Sequence, residues 1–197
     1  GEGIPETEHE KGYVSRFLEE AQVMGQLEHP GIVPVHELGV DEQGQVYFTM
    51  SRVRGQEFSV AIKEIADPLN PEWTLERAVY VLRKVSEAIS YAHAKGVIHR
   101  DLKPANIMAD RFGEVYVMDW GVAKFIGTDS GDLTADPNLT VAIRARSDPK
   151  AETTETSGIY GTPPYMPPEQ AGGEFDEVDS RSGVYAMGEI LYHLLTR

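Results

Sequence analysis

The sequence predicts an α+β fold, in which amphipathic helices and short antiparallel strands follow one another along 197 residues. Two observations favour this fold class. Apolar residues recur at helical spacing in two long stretches, residues 74–94 and 182–195. Two pairs of short β-type runs are joined by turns that contain Asp and Gly, at residues 41–44 and 110–113, which is typical of hairpins.

The composition excludes several classes of function. Asp and Glu (32) outnumber Lys and Arg (18), which gives a formal net charge of −14 and argues against a general nucleic-acid binder. There are no cysteines, so disulfide scaffolds and thiolate metal sites are excluded. No apolar run approaches the roughly 18 residues of a membrane helix, and the first ten residues do not resemble a signal peptide. We therefore expect a cytoplasmic chain, with any membrane anchor outside it.

The first elements are a helix and a hairpin. Apolar residues from Val14 to Leu27 have helical spacing, and the segment His29-Pro30-Gly31 ends that helix because proline cannot continue it. Residues 32–40 and 46–50 are predicted strands around the turn at residues 41–44. A short helix is then expected over residues 58–65, followed by a loop at residues 67–71.

The second half of the chain begins with a long helix. Thr74 is the expected N-cap, seven apolar residues between Ala78 and Ala92 form one face, and Lys95-Gly96 is a stop signal. Short strands are predicted at residues 107–109 and 115–118. Residues 127–158 are rich in Thr, Asp and Ser and predict a long loop, and the final helix spans residues 182–195. We expect Leu191, Leu194 and Leu195 of this helix to need further helices for burial.

The sharpest motif is His99-Arg100-Asp101-Leu102-Lys103-Pro104-Ala105-Asn106, between a helix stop and a strand. One loop can bring together an Asp that accepts a proton, a Lys that neutralises phosphate and an Asn that binds a metal. The triplet Asp119-Trp120-Gly121 follows the second strand, where a carboxylate suits Mg²⁺. Asn106 and Asp119 are therefore a candidate pair of oxygen ligands for a metal–nucleotide.

These motifs resemble the eukaryotic-type Ser/Thr protein kinases, closest to the bacterial members. The resemblance implies that Asp101 is the catalytic base and that Lys103 neutralises the transferred phosphoryl group. It implies that Asn106 and Asp119 hold Mg²⁺. Arg100 would bind a phosphorylated residue of the activation segment, for which Thr154 and Thr156 are the candidates.

Other stretches carry the same resemblance. Residues 161–169, Gly-Thr-Pro-Pro-Tyr-Met-Pro-Pro-Glu, resemble the end of a kinase activation segment, so Thr162 would hydrogen-bond Asp101 and Lys103. Residues 17–33 resemble helix C and the turn that follows it, so Glu20 would pair with the ATP-anchoring lysine. Met50 would be the gatekeeper, and the backbone of Val53 would contact adenine.

The resemblance implies an incomplete, protein-kinase-like two-lobed α+β fold. Residues 1–12 would be a flexible segment, residues 13–53 a partial small lobe and residues 54–197 a partial large lobe. The implied activity is transfer of the γ-phosphoryl group of ATP, with Mg²⁺, to Ser or Thr of a protein substrate. A kinase-like binding module without turnover stays open as an alternative, and a small-molecule phosphotransferase is disfavoured by residues 161–169, which resemble a peptide-docking segment.

The sequence departs from the family in four places. No Gly-rich loop or strand lysine precedes the predicted helix C. Lys63 ends the sequence Val-Ala-Ile-Lys, which matches the family's lysine motif, but this sequence follows the hinge. We therefore expect Lys63 on the surface. Trp120 replaces the usual Phe. Gly183 stands where the family has an Asp that braces the catalytic loop. We expect that substitution to weaken catalysis and expect Gly183→Asp to strengthen it.

Overall fold

The computed structural model describes residues 17, 20–65, 72–126 and 161–196. Three expectations from the sequence lie outside these residues. They are the flexible segment at residues 1–12, the loop at 67–71 and the long loop at 127–158, which contains Thr154 and Thr156.

The first described elements are helix α1, over residues 20–26, and a hairpin of strands β1 (Val35–Val40) and β2 (Val46–Met50). The two strands are antiparallel, and Asp41 holds the turn by accepting hydrogen bonds from the backbone N–H groups of Gln43 and Gln45. The predicted strand over residues 32–40 was wrong at its start. Ile32 instead makes an isolated parallel bridge to Val117, because Pro34, which has no N–H to donate, lies between the two pairings.

The predicted helices of the middle segment are confirmed. Strand β3 (Gln56–Glu57) leads directly into α2 (Phe58–Glu64), and α3 spans Leu75–Ala94. The Thr74 side chain caps α3 by accepting a hydrogen bond from the backbone N–H of Arg77 at 3.1 Å. All seven apolar residues of the predicted face are buried: Ala78, Val81, Leu82, Val85, Ala88, Ile89 and Ala92.

Four short strands position the loops that carry the sequence motifs. They are β4 (Val97–Ile98), β5 (Ile107–Ala109), β6 (Val115–Val117) and β7 (Lys124–Phe125). Strands β3, β5 and β6 form one antiparallel sheet in that order, and β4 pairs with β7. Residues 99–106 therefore connect β4 to β5, and residues 118–123 connect β6 to β7, which brings the two loops together.

The last elements are the short helix α4 (Pro168–Ala171) and the long helix α5 (Ser180–Thr196). We expected Leu191, Leu194 and Leu195 to need further helices for burial. That expectation was wrong for Leu194, which is fully buried because it packs into the core with the apolar face of α3. Leu195 remains 59 % exposed.

One continuous set of apolar contacts joins α1, α3, the β5–β6 strands and α5. The boundary between the two expected lobes, near residue 53, stays a prediction. Within the described part of the chain, every helix is too short or too polar to cross a membrane.

Candidate active site

His99 anchors the loop of residues 99–106, the predicted catalytic loop, from inside the protein. Its side chain is buried, its Nε2–H donates to the carbonyl oxygen of Met118 at 2.9 Å, and its Nδ1 accepts from the backbone N–H of Asp101 at 3.3 Å. Burial lowers the pKa of His99, which the hydrogen bond to Met118 only partly offsets. The two hydrogen bonds require one neutral tautomer, with the proton on Nε2, and they link the two loops.

Asp101, Lys103 and Thr162 form a closed network of side chains. Lys103 Nζ donates to Asp101 Oδ2 at 2.7 Å and to Thr162 Oγ1 at 2.8 Å, while the Thr162 hydroxyl donates to Asp101 Oδ1 at 2.8 Å. Both hydrogen bonds expected for Thr162 are therefore present. Each carboxylate oxygen of Asp101 has one of these donors, which fixes its orientation, and the side chain is still 12 % exposed.

Asn106 completes this network, and its predicted role as a metal ligand stays a prediction. Its Nδ2 donates to the Asp101 backbone oxygen at 2.9 Å and to Asp101 Oδ2 at 3.3 Å. With the amide nitrogen so engaged, the side-chain oxygen is the group of Asn106 that could bind a cation. The backbone oxygen of Asn106 accepts from Met118 N–H at 2.8 Å, which places Asn106 beside the residue that precedes Asp119.

Asp119, in the second loop (residues 118–123), has an unusual backbone conformation. Its φ of 58° lies in the left-handed region, and the residue is exposed at the protein surface. Trp120, which follows, is buried, and its indole N–H donates to the Val117 carbonyl at 3.2 Å. The indole also packs on His99 with ring centroids 4.7 Å apart. Trp120 thus fills a buried apolar site and adds a hydrogen bond that phenylalanine could not make.

The donors of Asn106 and Asp119 fit Mg²⁺. One amide oxygen and one carboxylate are the hard oxygen ligands that this ion prefers, and Mg²⁺ usually takes only one or two carboxylates besides phosphate oxygens. The exposure of Asp119 leaves its carboxylate accessible to a metal–nucleotide.

Glu20 lies against the second loop. Its carboxylate is half-buried and accepts a hydrogen bond from the backbone N–H of Trp120. Burial raises the pKa of Glu20, the negative charge of Asp119 raises it further, and the Trp120 N–H opposes both effects. Glu20 is therefore beside the candidate metal ligand, and its pairing with an ATP-anchoring lysine stays a prediction. Lys63, as expected, is exposed on α2.

The predicted hinge is the connection between β2 and β3. Met50 ends β2 and is 41 % exposed, whereas Val53 is half-buried and packs against the core. The residues between them have no regular secondary structure. These positions are compatible with an adenine-binding edge, and their roles stay predictions.

Arg100 faces the segment after Asp119. Its guanidinium group donates to the backbone oxygens of Val122 and Ala123, the latter at 3.4 Å. The proposed phosphate acceptors Thr154 and Thr156 lie outside the described residues, so the regulatory role of Arg100 stays a prediction.

Comparison with known proteins decides the family. The sequence profile of the protein kinase domain matches residues 4–197. The chain belongs to the protein kinase family. It is 36 % identical, over 187 residues, to the serine/threonine-protein kinase PknD of Chlamydia trachomatis, and the match covers 92 % of this chain.

Two further relatives agree. A probable serine/threonine-protein kinase of Streptomyces coelicolor is 38 % identical over 187 residues, which covers 93 % of this chain and 24 % of the relative. The serine/threonine-protein kinase PknD of Protochlamydia amoebophila is 35 % identical over 190 residues, which covers 92 % of this chain and 18 % of the relative. The kinase chain thus spans about a fifth of the length of these proteins.

Three contacts near the catalytic loop were missed by sequence reasoning. Gln170 Nε2 donates to the Arg100 backbone oxygen at 2.7 Å, the His93 ring packs beside Gly183, and the Tyr165 hydroxyl lies 2.7 Å from His193 Nδ1. Each pair is far apart in sequence, and no local pattern signals it. The one sequence signal for Gln170 is its position directly after the family-like motif Pro167-Pro168-Glu169.

Proposed function

We propose that this chain carries the catalytic loop of a protein serine/threonine kinase, which transfers the γ-phosphoryl group of ATP to a Ser or Thr hydroxyl of a protein. The observation that supports this most strongly is the network of Asp101, Lys103 and Thr162. It combines a hydrogen-bond acceptor for the substrate hydroxyl with a cation for the phosphoryl group, at the start of the segment (residues 161–169) that resembles a peptide-docking element.

Asp101 acts on the substrate hydroxyl. Its carboxylate accepts the hydroxyl proton and orients the oxygen for attack, while the hydrogen bonds from Lys103 and Thr162 hold both carboxylate oxygens in place. Lys103 also neutralises negative charge on the transferred phosphoryl group. Thr162, at the start of the docking segment, links substrate binding to the orientation of Asp101.

Asn106 and Asp119 would hold Mg²⁺, and Met50 and Val53 would bind adenine. When bound, Mg²⁺ neutralises phosphate charge and orients the phosphate chain. Glu20 would align the ATP-anchoring lysine of the family. Phosphorylation of Thr154 or Thr156 would add charge that Arg100 can bind. Since ATP is held inside the cell, the proposed compartment is the cytoplasm.

Transfer of labelled phosphate from γ-labelled ATP by the natural full-length protein tests this function. We expect Mg²⁺-dependent label on a model protein substrate, with phosphoserine and phosphothreonine after acid hydrolysis. Saturable ATP binding without any transfer would contradict the proposal and would support a binding module. Label on phosphotyrosine alone would contradict the assigned hydroxyl class.

A further inference from the structure

The residue before the catalytic aspartate has an unusual backbone conformation. Arg100 has a φ of 66°, in the left-handed region that residues other than glycine rarely occupy. Such a conformation costs free energy and persists only where surrounding groups hold it. The peptide bond that joins Arg100 to Asp101 therefore needs a partner that fixes it, because its orientation sets the direction of the Asp101 side chain.

Gln170 is that partner. Its side chain is 1 % exposed, and its Nε2 donates to the carbonyl oxygen of the Arg100–Asp101 peptide at 2.7 Å. Gly161 makes room for this contact. It has a φ of 121°, and a Cβ there would lie 2.5 Å from Gln170 Nε2 and 3.1 Å from the Arg100 carbonyl oxygen. Any larger residue at position 161 would force the amide away from the peptide.

Gly183 has no side chain that could contact this loop, and the space beside it is occupied. A Cβ on Gly183 would lie 2.6 Å from Cε1 and from Nε2 of His93, which projects from α3. An aspartate at position 183 would therefore displace the His93 ring or be displaced by it. Our expectation that Gly183→Asp strengthens catalysis is thus opposed by the packing, because His93 takes up the space in which the new side chain would begin.

We propose that Gln170 is a positioning residue that holds the Arg100–Asp101 peptide by donating a hydrogen bond to its carbonyl oxygen. The proposal rests on the proposed kinase function only for its effect on turnover. Gln170 acts through Asp101 and does not touch substrate. His93 fills the space in which a side chain at position 183 would begin.

The test compares Gln170→Met, which removes the donor but keeps an unbranched side chain, with Gln56→Met as the control. Gln56 Nε2 also donates a side-chain hydrogen bond, to Glu64 Oε2 at 2.9 Å, but lies at the start of β3. In the full-length kinase we expect Gln170→Met to lower kcat about tenfold or more, with KM for ATP within about twofold. Gln56→Met should leave both constants within about twofold of the parent.

Amide hydrogen exchange at residues 99–102 gives a readout that does not depend on turnover. We expect faster exchange there in Gln170→Met and unchanged exchange in Gln56→Met. If Gln170→Met does not fold, Gln170→Asn replaces it, because that variant keeps a buried amide but is one methylene too short to reach the peptide. Unchanged exchange together with unchanged kcat would overturn the proposal. A parent without transfer would overturn the proposed function, and the exchange result would still test the brace.

A second experiment tests the packing at position 183. With His93 intact, Gly183→Asp should not raise kcat, because the new side chain would collide with the His93 ring. A Gly183→Asp variant that is faster than the parent would contradict this account of position 183.

Discussion

The catalytic loop and the hinge are held in different ways. In the loop, side chains bond to residues that are distant in sequence, as in the contacts of Asp101 with Thr162 and of His99 with Met118. The hinge after Met50 has a backbone hydrogen bond from Ser51 N–H to Pro34 at 3.4 Å and a side-chain contact between His36 and Ser51 at the surface. The loop is thus fixed by tertiary contacts, whereas the hinge is held mainly by the strand that it extends.

This difference separates two tasks. Phosphoryl transfer needs charged groups in a fixed geometry before the substrate arrives, because reorientation during the reaction would raise the barrier. Adenine binding needs only backbone groups and an apolar edge, which an extended segment supplies. Changes in the loop should therefore alter kcat, and changes in the hinge should alter KM for ATP.

The largest expected effect is that of Asp101→Asn. Loss of the proton acceptor should lower kcat by about 10²–10⁴-fold while ATP still binds. The matched control is Asp41→Asn, at the hairpin turn, which should retain kcat within about twofold. Steady-state kinetics of the full-length protein checks both variants. Near-parental turnover in Asp101→Asn would remove the catalytic assignment.

A smaller loss is expected when the network loses one donor. Thr162→Val removes the hydroxyl that bonds Asp101 and Lys103 but keeps the branched shape, and it should lower kcat about 10- to 100-fold, as expected for a hydrogen bond to a charged group. Thr162→Ser keeps the hydroxyl and should stay within about threefold of the parent. If the two variants have equal kcat, the hydroxyl does not orient Asp101.

Trp120→Phe tests whether the packing of Trp120 on His99 stabilises the catalytic loop. The change removes the hydrogen bond from the indole N–H to Val117 and part of the packing on His99. We expect a loss of about 1–2 kcal/mol in the free energy of unfolding, together with a kcat reduced about twofold to tenfold. Trp73→Phe is the control, because Trp73 is also buried but packs on Phe58 and Arg77. It should lower stability without lowering kcat, and an equal kcat loss in both variants would contradict the account.

The smallest kinetic effect is expected at the hinge. Met50→Ala should raise KM for ATP about twofold to fivefold through lost apolar contact, with kcat within about twofold of the parent. Val40→Ala, at an exposed position of the same hairpin, should change neither constant. A Met50→Ala variant that lowers kcat and leaves KM unchanged would reverse the proposed division between hinge and loop.

Stability should also depend on pH through two histidines. Burial lowers the pKa of His99 and of His93 below the ordinary value of 6.5, and nearby Asp179 partly opposes this for His93. Below pH 6.5 these two histidines therefore bind more protons in the unfolded chain than in the folded chain, so their contribution to the free energy of unfolding falls as the pH falls. Thermal unfolding above and below pH 6.5 should show this slope, and His93→Gln should reduce it, whereas an equal slope in the variant and the parent would contradict this account.

Local rules predicted much of the fold. The cap at Thr74, the buried face of α3 and the turn at Asp41 depend on residues that are close in sequence, and all three were predicted. The start of β1 was missed because the effect of Pro34 on pairing depends on which strand lies alongside. The burial of Leu194 was missed because it depends on how α5 packs with the rest of the core.

The site residues also fall into those that local sequence predicts and those that depend on tertiary contacts. Asp101, Lys103 and Asn106 lie in one short motif, so their convergence could be predicted, and the position of Thr162 followed from a family resemblance. Gln170 could not be predicted because its contact with Arg100 joins residues that are 70 positions apart. That contact also depends on the missing side chain of Gly161, a condition that only packing reveals.

Amide hydrogen exchange without nucleotide tests most directly whether the catalytic loop is fixed before substrate binds. The backbone N–H groups of the loop donate hydrogen bonds to other protein groups. Asn106 N–H donates to the Lys103 carbonyl oxygen at 2.9 Å, and Asp101 N–H donates to His99 Nδ1. We predict that residues 101–106 exchange at least about tenfold more slowly than residues 51–55, because opening the loop breaks tertiary contacts. Equal rates in the two segments, or slower exchange at the hinge, would contradict a catalytic loop that is organised in advance.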